Sequence, residues 1–199
     1  MRRQAAFAVL IAAATAAVLP AGGAAGPRHH HPNPHYRVFF NGDSLAVGTR
    51  PYLPADLRRF RVSQSASISR HAPGGVDLLR HFPGKLPKVI VMQLGTNDDP
   101  RAIDSFRSAV LQTIHLAGPD RCVVWVNIVR PPLAGASYAG YNSVLADQNR
   151  RRRVFRVVKW TELVRSQHLA LSADGVHPTA AGYQVRAEAI AKQVRACVR

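Results

Sequence analysis

Two kinds of hydrophobic pattern alternate along the chain. Short uninterrupted apolar runs, such as KVIVMQL bounded by proline and glycine, are typical of strands buried on both faces. Phe60–Ile68 instead has alternating character, with a period of two residues, which also indicates a strand. We predict strands over Tyr36–Phe40, Phe60–Ile68, Lys88–Leu94, Cys122–Val129 and Val154–Val158.

Between these runs, apolar residues recur at the three- and four-residue spacing of amphipathic helices. Ile103–Ala117 shows this spacing, with Pro100 suited to its first turn and Asp98 or Asp99 suited to its cap. The first helical segment contains two prolines and is expected to be interrupted there. We predict helices over Leu45–Leu57, Gly74–His81, Ile103–Ala117, Tyr138–Arg153 and Ala180–Val198.

This alternation of strands and helices predicts an α/β fold. Continuous apolar strands separated by helices are typical of a parallel sheet that is covered on both faces. Five such strands fit a flavodoxin-like doubly wound sheet with the strand order 2-1-3-4-5. In that order the first and third strands are neighbours, so the residues that follow them should lie close together.

The N-terminal segment differs in composition from the rest. Arg2 and Arg3 precede the apolar run Ala5–Leu19, and small residues follow it, which is the pattern of a secretory signal peptide. We therefore interpret residues 1–25 as a signal peptide, in preference to an uncleaved anchor, and expect the protein to be secreted. Residues 26–35 are rich in proline and histidine and are interpreted as a linker, although their three adjacent histidines could bind a metal. The folded domain is expected to span 36–199.

The chain is strongly basic. Its formal net charge is +16, and loss of the first 25 residues removes two arginines and no acid. Such a surface can attract anionic cell-wall polymers without specificity, or it can serve only to keep the protein in solution. We predict no specific nucleic-acid partner and expect a monomer.

The two cysteines, Cys122 and Cys197, begin a predicted strand and end the last predicted helix. In an α/β sheet these two positions lie at the same edge, and a cysteine pair in an exported protein favours a disulfide. We predict the Cys122–Cys197 bond, with two buried free thiols as the alternative.

Three polar motifs follow predicted secondary-structure elements at the carboxyl edge of the sheet, where open α/β sheets bind ligands. Ser44 follows the first strand within NGDSL, and Asn97 follows the third strand within GTND. Asp174 and His177 lie in DGVHP, just before the last helix. Each motif alone is common as a turn or a helix cap. Together they predict a nucleophile, an oxyanion donor, and a base with its orienting carboxylate.

These motifs resemble the SGNH/GDSL hydrolase family over Phe39–Gln193. Gly42–Leu45 is similar to its first block, Gly95–Asp98 to its third and Asp174–Pro178 to its fifth. The resemblance implies that Ser44 is the nucleophile, His177 the general base and Asp174 its partner. It also implies an oxyanion hole that includes the Ser44 backbone N–H and the Asn97 side chain, and no metal or cofactor.

The second block of the family departs from its pattern here. Family members supply a glycine N–H after the second strand, whereas Ser65–His71 contains no glycine. Ser69 or Arg70 could supply this N–H instead, and the Arg70 side chain could alternatively recognise an anionic group of the substrate.

We expect an exported serine esterase that hydrolyses acyl or acetyl esters of lipids or carbohydrates. A non-catalytic module that binds anionic cell-wall polymers is one alternative, and an acyltransferase that uses the same serine is another.

Overall fold

The structure, a computed structural model, describes residues 36–55, 57 and 60–198. Within these residues the chain forms a five-stranded sheet in the order β2-β1-β3-β4-β5, and every neighbouring pair of strands is parallel. The predicted doubly wound α/β fold is therefore confirmed. The proposed signal peptide and linker lie outside the described residues.

The elements follow the predicted order, and most of their ends shift by a few residues. The first helical segment, predicted over Leu45–Leu57 with an interruption at its prolines, ends as an α-helix at Thr49, two residues before Pro51. The strands β1 to β5 span Arg37–Gly42, Arg61–Ala66, Val89–Gln93, Cys122–Val126 and Phe155–Val158. The helices α1 to α6 span Ser44–Thr49, Ala72–Arg80, Ile103–Ala117, Ala139–Arg151, Trp160–Ser166 and Ala180–Ala196, and a 3₁₀ turn at Arg50–Tyr52 follows α1.

The central strands β1, β3 and β4 are buried on both faces, which explains their continuous apolar runs. Alternate residues of one strand enter different cores because successive side chains point to opposite faces. In β3, Ile90 and Met92 pack in the cluster that contains residues of α2, α3 and α4. Val89 and Val91 pack in the cluster that contains residues of α6. Helices on both faces thus fix the sheet between two apolar layers.

The first three strands end together at the carboxyl edge. Gly42 at the end of β1 is paired with Ala66 of β2 on one side and with Gln93 of β3 on the other. A Cβ atom at Gly42 would lie 2.4 Å from the Cβ atom of Ala46, so only glycine allows the chain to turn this closely into α1. The residue after this turn and the residues after β3 are thereby held side by side.

Two helical details differ from the sequence prediction. The helix α5 was not predicted, since Trp160–Ser166 is short and only Trp160 in it is buried. The predicted cap of α3 is wrong, because Ala102 occupies the cap position without a side-chain hydrogen bond. The carboxylate of Asp98 instead accepts hydrogen bonds from the N–H of Ala72, at the first residue of α2.

The predicted pairing of Cys122 with Cys197 is present in the structure. Cys122 is the first residue of β4 and Cys197 caps the C-terminus of α6, so the bond joins the two elements at the amino edge of the sheet. This edge is opposite the one where the polar motifs lie. Among the described helices, none is both long and apolar enough to cross a membrane.

Candidate active site

Three of the predicted site residues form one hydrogen-bonded chain. The Oγ atom of Ser44, the first residue of α1, lies 2.8 Å from Nε2 of His177. Nδ1 of the same imidazole lies 2.6 Å from Oδ2 of Asp174. With the ring proton on Nδ1, the imidazole donates to the carboxylate and its Nε2 accepts the proton of the serine hydroxyl. A serine, a base and an orienting carboxylate therefore meet, although 133 residues separate the first two.

The loop between α5 and α6 holds the carboxylate in place. Oδ1 of Asp174 accepts hydrogen bonds from the N–H groups of Val176 and His177, at 2.9 and 3.1 Å. Gly175 has a φ of +66°, which lets the chain turn between the two polar residues. One oxygen thus fixes the loop and the other orients the imidazole.

The environment keeps Asp174 ionised. The hydrogen bond from His177, followed by those from the Val176 and His177 N–H groups, lowers the pKa of Asp174 to about 2. The site is also open, with side-chain exposures of 37% for His177 and 46% for Asp174. An imidazolium formed next to this carboxylate is stabilised, and both side chains are accessible from solvent.

Asp43, just before the serine, is completely buried. Its Oδ1 accepts the N–H of Leu45 at 2.9 Å and caps α1. Its Oδ2 accepts a hydrogen bond from Nδ2 of Asn97 at 3.2 Å. Asn97 is therefore linked to Asp43, the residue before Ser44, and the structure shows no hydrogen bond between Asn97 and Ser44 themselves.

The segment after β2 forms a tight turn. The N–H of Arg70 donates to the carbonyl of Ser67 at 3.2 Å, and Ser69 has a φ of +61°. A positive φ at the third of four residues is the type II pattern, which usually requires glycine. The carbonyl of Arg70 lies 3.5 Å from Nδ2 of Asn97, so this turn adjoins the amide that is bonded to Asp43. The N–H of Ser69 meets no acceptor among the described residues.

A buried cation balances the buried carboxylate. Arg186 of α6 is 2% exposed, and its guanidinium carbon lies 5.2 Å from the ring centroid of Trp160. Burial raises the pKa of Asp43, and the hydrogen bond from the N–H of Leu45 and the nearby charge of Arg186 oppose this rise. Burial lowers the pKa of Arg186 to about 10, opposed by the charge of Asp43. The cation thus favours the ionised form of the carboxylate that holds Asn97.

The sequence profile of the GDSL-like Lipase/Acylhydrolase family matches residues 40–185. The chain belongs to this family. The predicted resemblance to SGNH/GDSL hydrolases is therefore confirmed, and the matched range contains all three residues of the hydrogen-bonded chain. A search among curated proteins finds no match.

Solved structures with the GDSL-type fold are similar to this one. The C-terminal catalytic domain of peptidoglycan O-acetyltransferase A (OatA) from Streptococcus pneumoniae, solved with a methylsulfonyl adduct, has 16% identity and a TM-score of 0.68 over 81% of this chain and 94% of that domain. A lipase/acylhydrolase from Enterococcus faecalis has 16% identity and a TM-score of 0.62 over 82% and 97%. A GDSL-like lipase from Bacteroides thetaiotaomicron has 15% identity and a TM-score of 0.62 over 81% and 88%. At these identities the likeness establishes the fold.

Within this GDSL-type site, sequence reasoning missed the positions that support the predicted ones. Asp43 could have been found, because an aspartate immediately before a helix is a preferred N-cap. In α6, Arg186 lies next to the apolar face formed by Ala187, Ile190 and Val194. A charged residue at this position was a weak signal of a buried cation. The bonds made by the side chain of Arg70 had no local signal.

No metal-binding cluster was predicted within the folded domain. In the described ranges, no group of three or more His, Cys, Asp or Glu side chains is arranged to hold a metal ion. The three adjacent histidines of the linker lie outside those ranges.

Proposed function

We propose that this GDSL-family protein is an exported serine esterase that hydrolyses acyl or acetyl esters of carbohydrates or lipids. The observation that carries the proposal is the continuous hydrogen-bonded chain from Ser44 through His177 to Asp174. This arrangement supports nucleophilic catalysis because the base can take the serine proton while the carboxylate stabilises the resulting imidazolium.

In the first half of the reaction, Oγ of Ser44 attacks the ester carbonyl carbon while its proton passes to Nε2 of His177. The carbonyl oxygen becomes an oxyanion, for which the Ser44 N–H and the Asn97 amide are the proposed donors. The C–O bond to the alcohol then breaks, and the imidazolium gives its proton to the departing oxygen. The acyl group remains on Ser44.

In the second half, an acceptor hydroxyl replaces the alcohol. With water as acceptor, His177 takes a proton from the water as its oxygen bonds to the acyl carbon. The bond between this carbon and Oγ of Ser44 then breaks, the imidazolium returns its proton to Oγ, and the acid leaves. With a sugar hydroxyl as acceptor, the same steps transfer the acyl group. The open position of His177 supports access by either acceptor, and the fold shared with the OatA catalytic domain keeps the transferase as a second candidate.

The N-terminal pattern, the disulfide and the net charge support the proposed export and class of substrate. The basic start and the apolar run Ala5–Leu19 support a signal peptide, and the Cys122–Cys197 disulfide agrees with an oxidising compartment. The charge of +16 favours substrates attached to anionic surfaces, such as acylated wall polysaccharides. We propose that the protein acts there as a monomer.

The test is a panel of esters with graded acyl length, assayed with the wild type, Ser44→Ala and Ser108→Ala. Ser108 is an exposed serine of α3 and serves as the matched control. We expect turnover by the wild type and by Ser108→Ala, and loss of turnover in Ser44→Ala. Acylation of an added sugar acceptor identifies the transferase. Equal and negligible rates in all three proteins, with retained binding to anionic wall material, contradict both enzymes and support a binding module.

A further inference from the structure

The turn at residues 67–70 has a backbone conformation that its sequence does not favour. Ser69 adopts a φ of +61°, a left-handed conformation that a serine takes at a cost because its Cβ atom crowds the backbone. Strain of this kind persists only where the surroundings hold it, and it often marks a functional position. The contacts that hold this turn are therefore informative.

The N–H of Ser67 donates to the carbonyl of Gly42 at 3.1 Å, and the side chain of Arg70 supplies most of the remaining contacts. Its Nη1 atom donates to the carbonyl of Ser65 at 2.6 Å, to the carbonyl of Gly42 at 3.2 Å and to Oδ1 of Asn41 at 3.2 Å. Its Nη2 atom lies 3.2 Å from Oγ of Ser65. One guanidinium thus links the turn to the carboxyl ends of both β1 and β2.

These acceptors are rigid parts of the fold. Asn41 is completely buried, and its Nδ2 donates to the carbonyl of Gly75 in α2 at 2.8 Å. Gly42 is separated from the nucleophile by Asp43 alone. The planar fork of an arginine suits several acceptors at fixed positions, and a lysine at the same place could not reproduce it.

The main chain of the same residue faces the other side of the site. The carbonyl of Arg70 lies 3.5 Å from Nδ2 of Asn97, which also donates to the carboxylate of Asp43. The arginine therefore connects the nucleophile strand, the strained turn and the proposed oxyanion amide. The hypothesis that its guanidinium recognises an anionic substrate group fits this geometry poorly, because both terminal nitrogens are already engaged within the protein.

We propose that Arg70 is a positioning residue: its guanidinium fixes the turn at 67–70 and thereby sets the geometry of oxyanion stabilisation. The proposal rests on the esterase or acyltransferase function proposed above. An error of about 1 Å in the placement of catalytic groups can lower a rate by about 100-fold. Loss of the guanidinium should accordingly lower kcat by about 10- to 100-fold with little change in KM.

The first experiment compares kcat and KM of the wild type, Arg70→Met, Arg70→Lys and Arg70→Ala. The matched control is Arg107→Met, which removes an exposed arginine paired with Asp104 on α3. We expect the loss in kcat in all three Arg70 variants and no loss in the Arg107→Met control. Adding guanidinium ion at a non-denaturing concentration should restore part of kcat in Arg70→Ala, where space is left, and none in Arg70→Met. This rescue separates positioning from a general loss of folding.

The second experiment measures amide hydrogen exchange over residues 65–72 and does not depend on activity. Removal of the guanidinium should accelerate exchange there by about 10-fold or more while the core strands keep their protection. If the wild type shows no Ser44-dependent turnover, the proposed function fails, and with it the catalytic consequence drawn for Arg70. The exchange data then still decide whether this side chain holds the turn.

Three results would overturn the proposal. An unchanged kcat in Arg70→Met excludes a positioning role. A change in the preference for acidic over neutral esters, seen mainly in KM, assigns Arg70 to substrate recognition instead. Exchange over residues 65–72 that matches the wild type in every Arg70 variant shows that other contacts hold the turn.

Discussion

Removal of the Cys122–Cys197 disulfide should weaken the fold and leave the chemistry intact. The bond joins the start of β4 to the end of α6, at the edge of the sheet opposite Ser44. Replacing both cysteines with alanine frees a loop whose ends are 75 residues apart in sequence. Without the bond, the unfolded chain gains conformational entropy, so the free energy of unfolding should fall.

The size of the effect follows from the loop length. In the chain-entropy description, closing a loop of 75 residues stabilises the folded protein by about 4.5 kcal/mol. Small domains have unfolding free energies of about 5–15 kcal/mol, so the variant should remain folded with a narrow margin. The free energy of unfolding falls by about 2 kcal/mol for each molar of urea, so the urea concentration at the unfolding midpoint should fall by about 2 M.

Urea unfolding followed by tryptophan fluorescence measures this difference in three samples: the oxidised wild type, the reduced wild type and the double alanine variant. The difference between the oxidised and the reduced wild type measures the effect of the cross-link. The difference between the reduced wild type and the double alanine variant measures the loss of sulfur packing, since Cys122 is buried. The kcat of the folded variant, measured without urea, should equal that of the wild type. A change in unfolding free energy below about 1 kcal/mol would refute the loop argument. A large fall in kcat in the folded variant would show that the two edges of the sheet are coupled.

Two further predictions concern the site. Activity should fall at a pH low enough to protonate His177, because protonated His177 cannot accept the proton of Ser44. Asp174 should not contribute to this fall, since its pKa of about 2 keeps it ionised throughout; a flat profile of kcat/KM would exclude His177 as the base. Replacing Asn97 with alanine should lower kcat by about 100- to 1,000-fold with little change in KM, and unchanged kcat would remove this amide from the oxyanion hole.

The sequence was sufficient to predict the sheet and the meeting of Ser44, Asp174 and His177 because both follow from general rules. Continuous apolar runs identified the buried strands, and the topology of parallel sheets placed the residues that follow β1 and β3 side by side. Asp174 and His177 were recognised by their three-residue spacing across Gly175, which the structure shows as a tight loop. These inferences needed only local pattern and strand order.

The supporting contacts could not be predicted in the same way. Arg70 binds acceptors on β1 and β2 that become neighbours only after the sheet has formed. Asp98 was expected to cap α3, but folding brings its carboxylate to the N–H of Ala72 on another helix. The tertiary structure determines which hydrogen-bond partner such a polar side chain binds, because its local sequence is compatible with several partners.

The buried charges of Asp43, the residue before Ser44, and of Arg186 represent a compromise between stability and geometry. Asp43 and Arg186 are both removed from water, and Nε and Nη1 of Arg186 have no hydrogen-bond partner among the described residues. Burying charges in this way usually costs more than apolar packing of the same volume. Asp43, however, caps α1 and holds the amide of Asn97, and an ionised carboxylate does both better than a neutral one. The buried cation favours that ionised state, so Arg186 on α6 supports the position of the proposed oxyanion donor through Asp43.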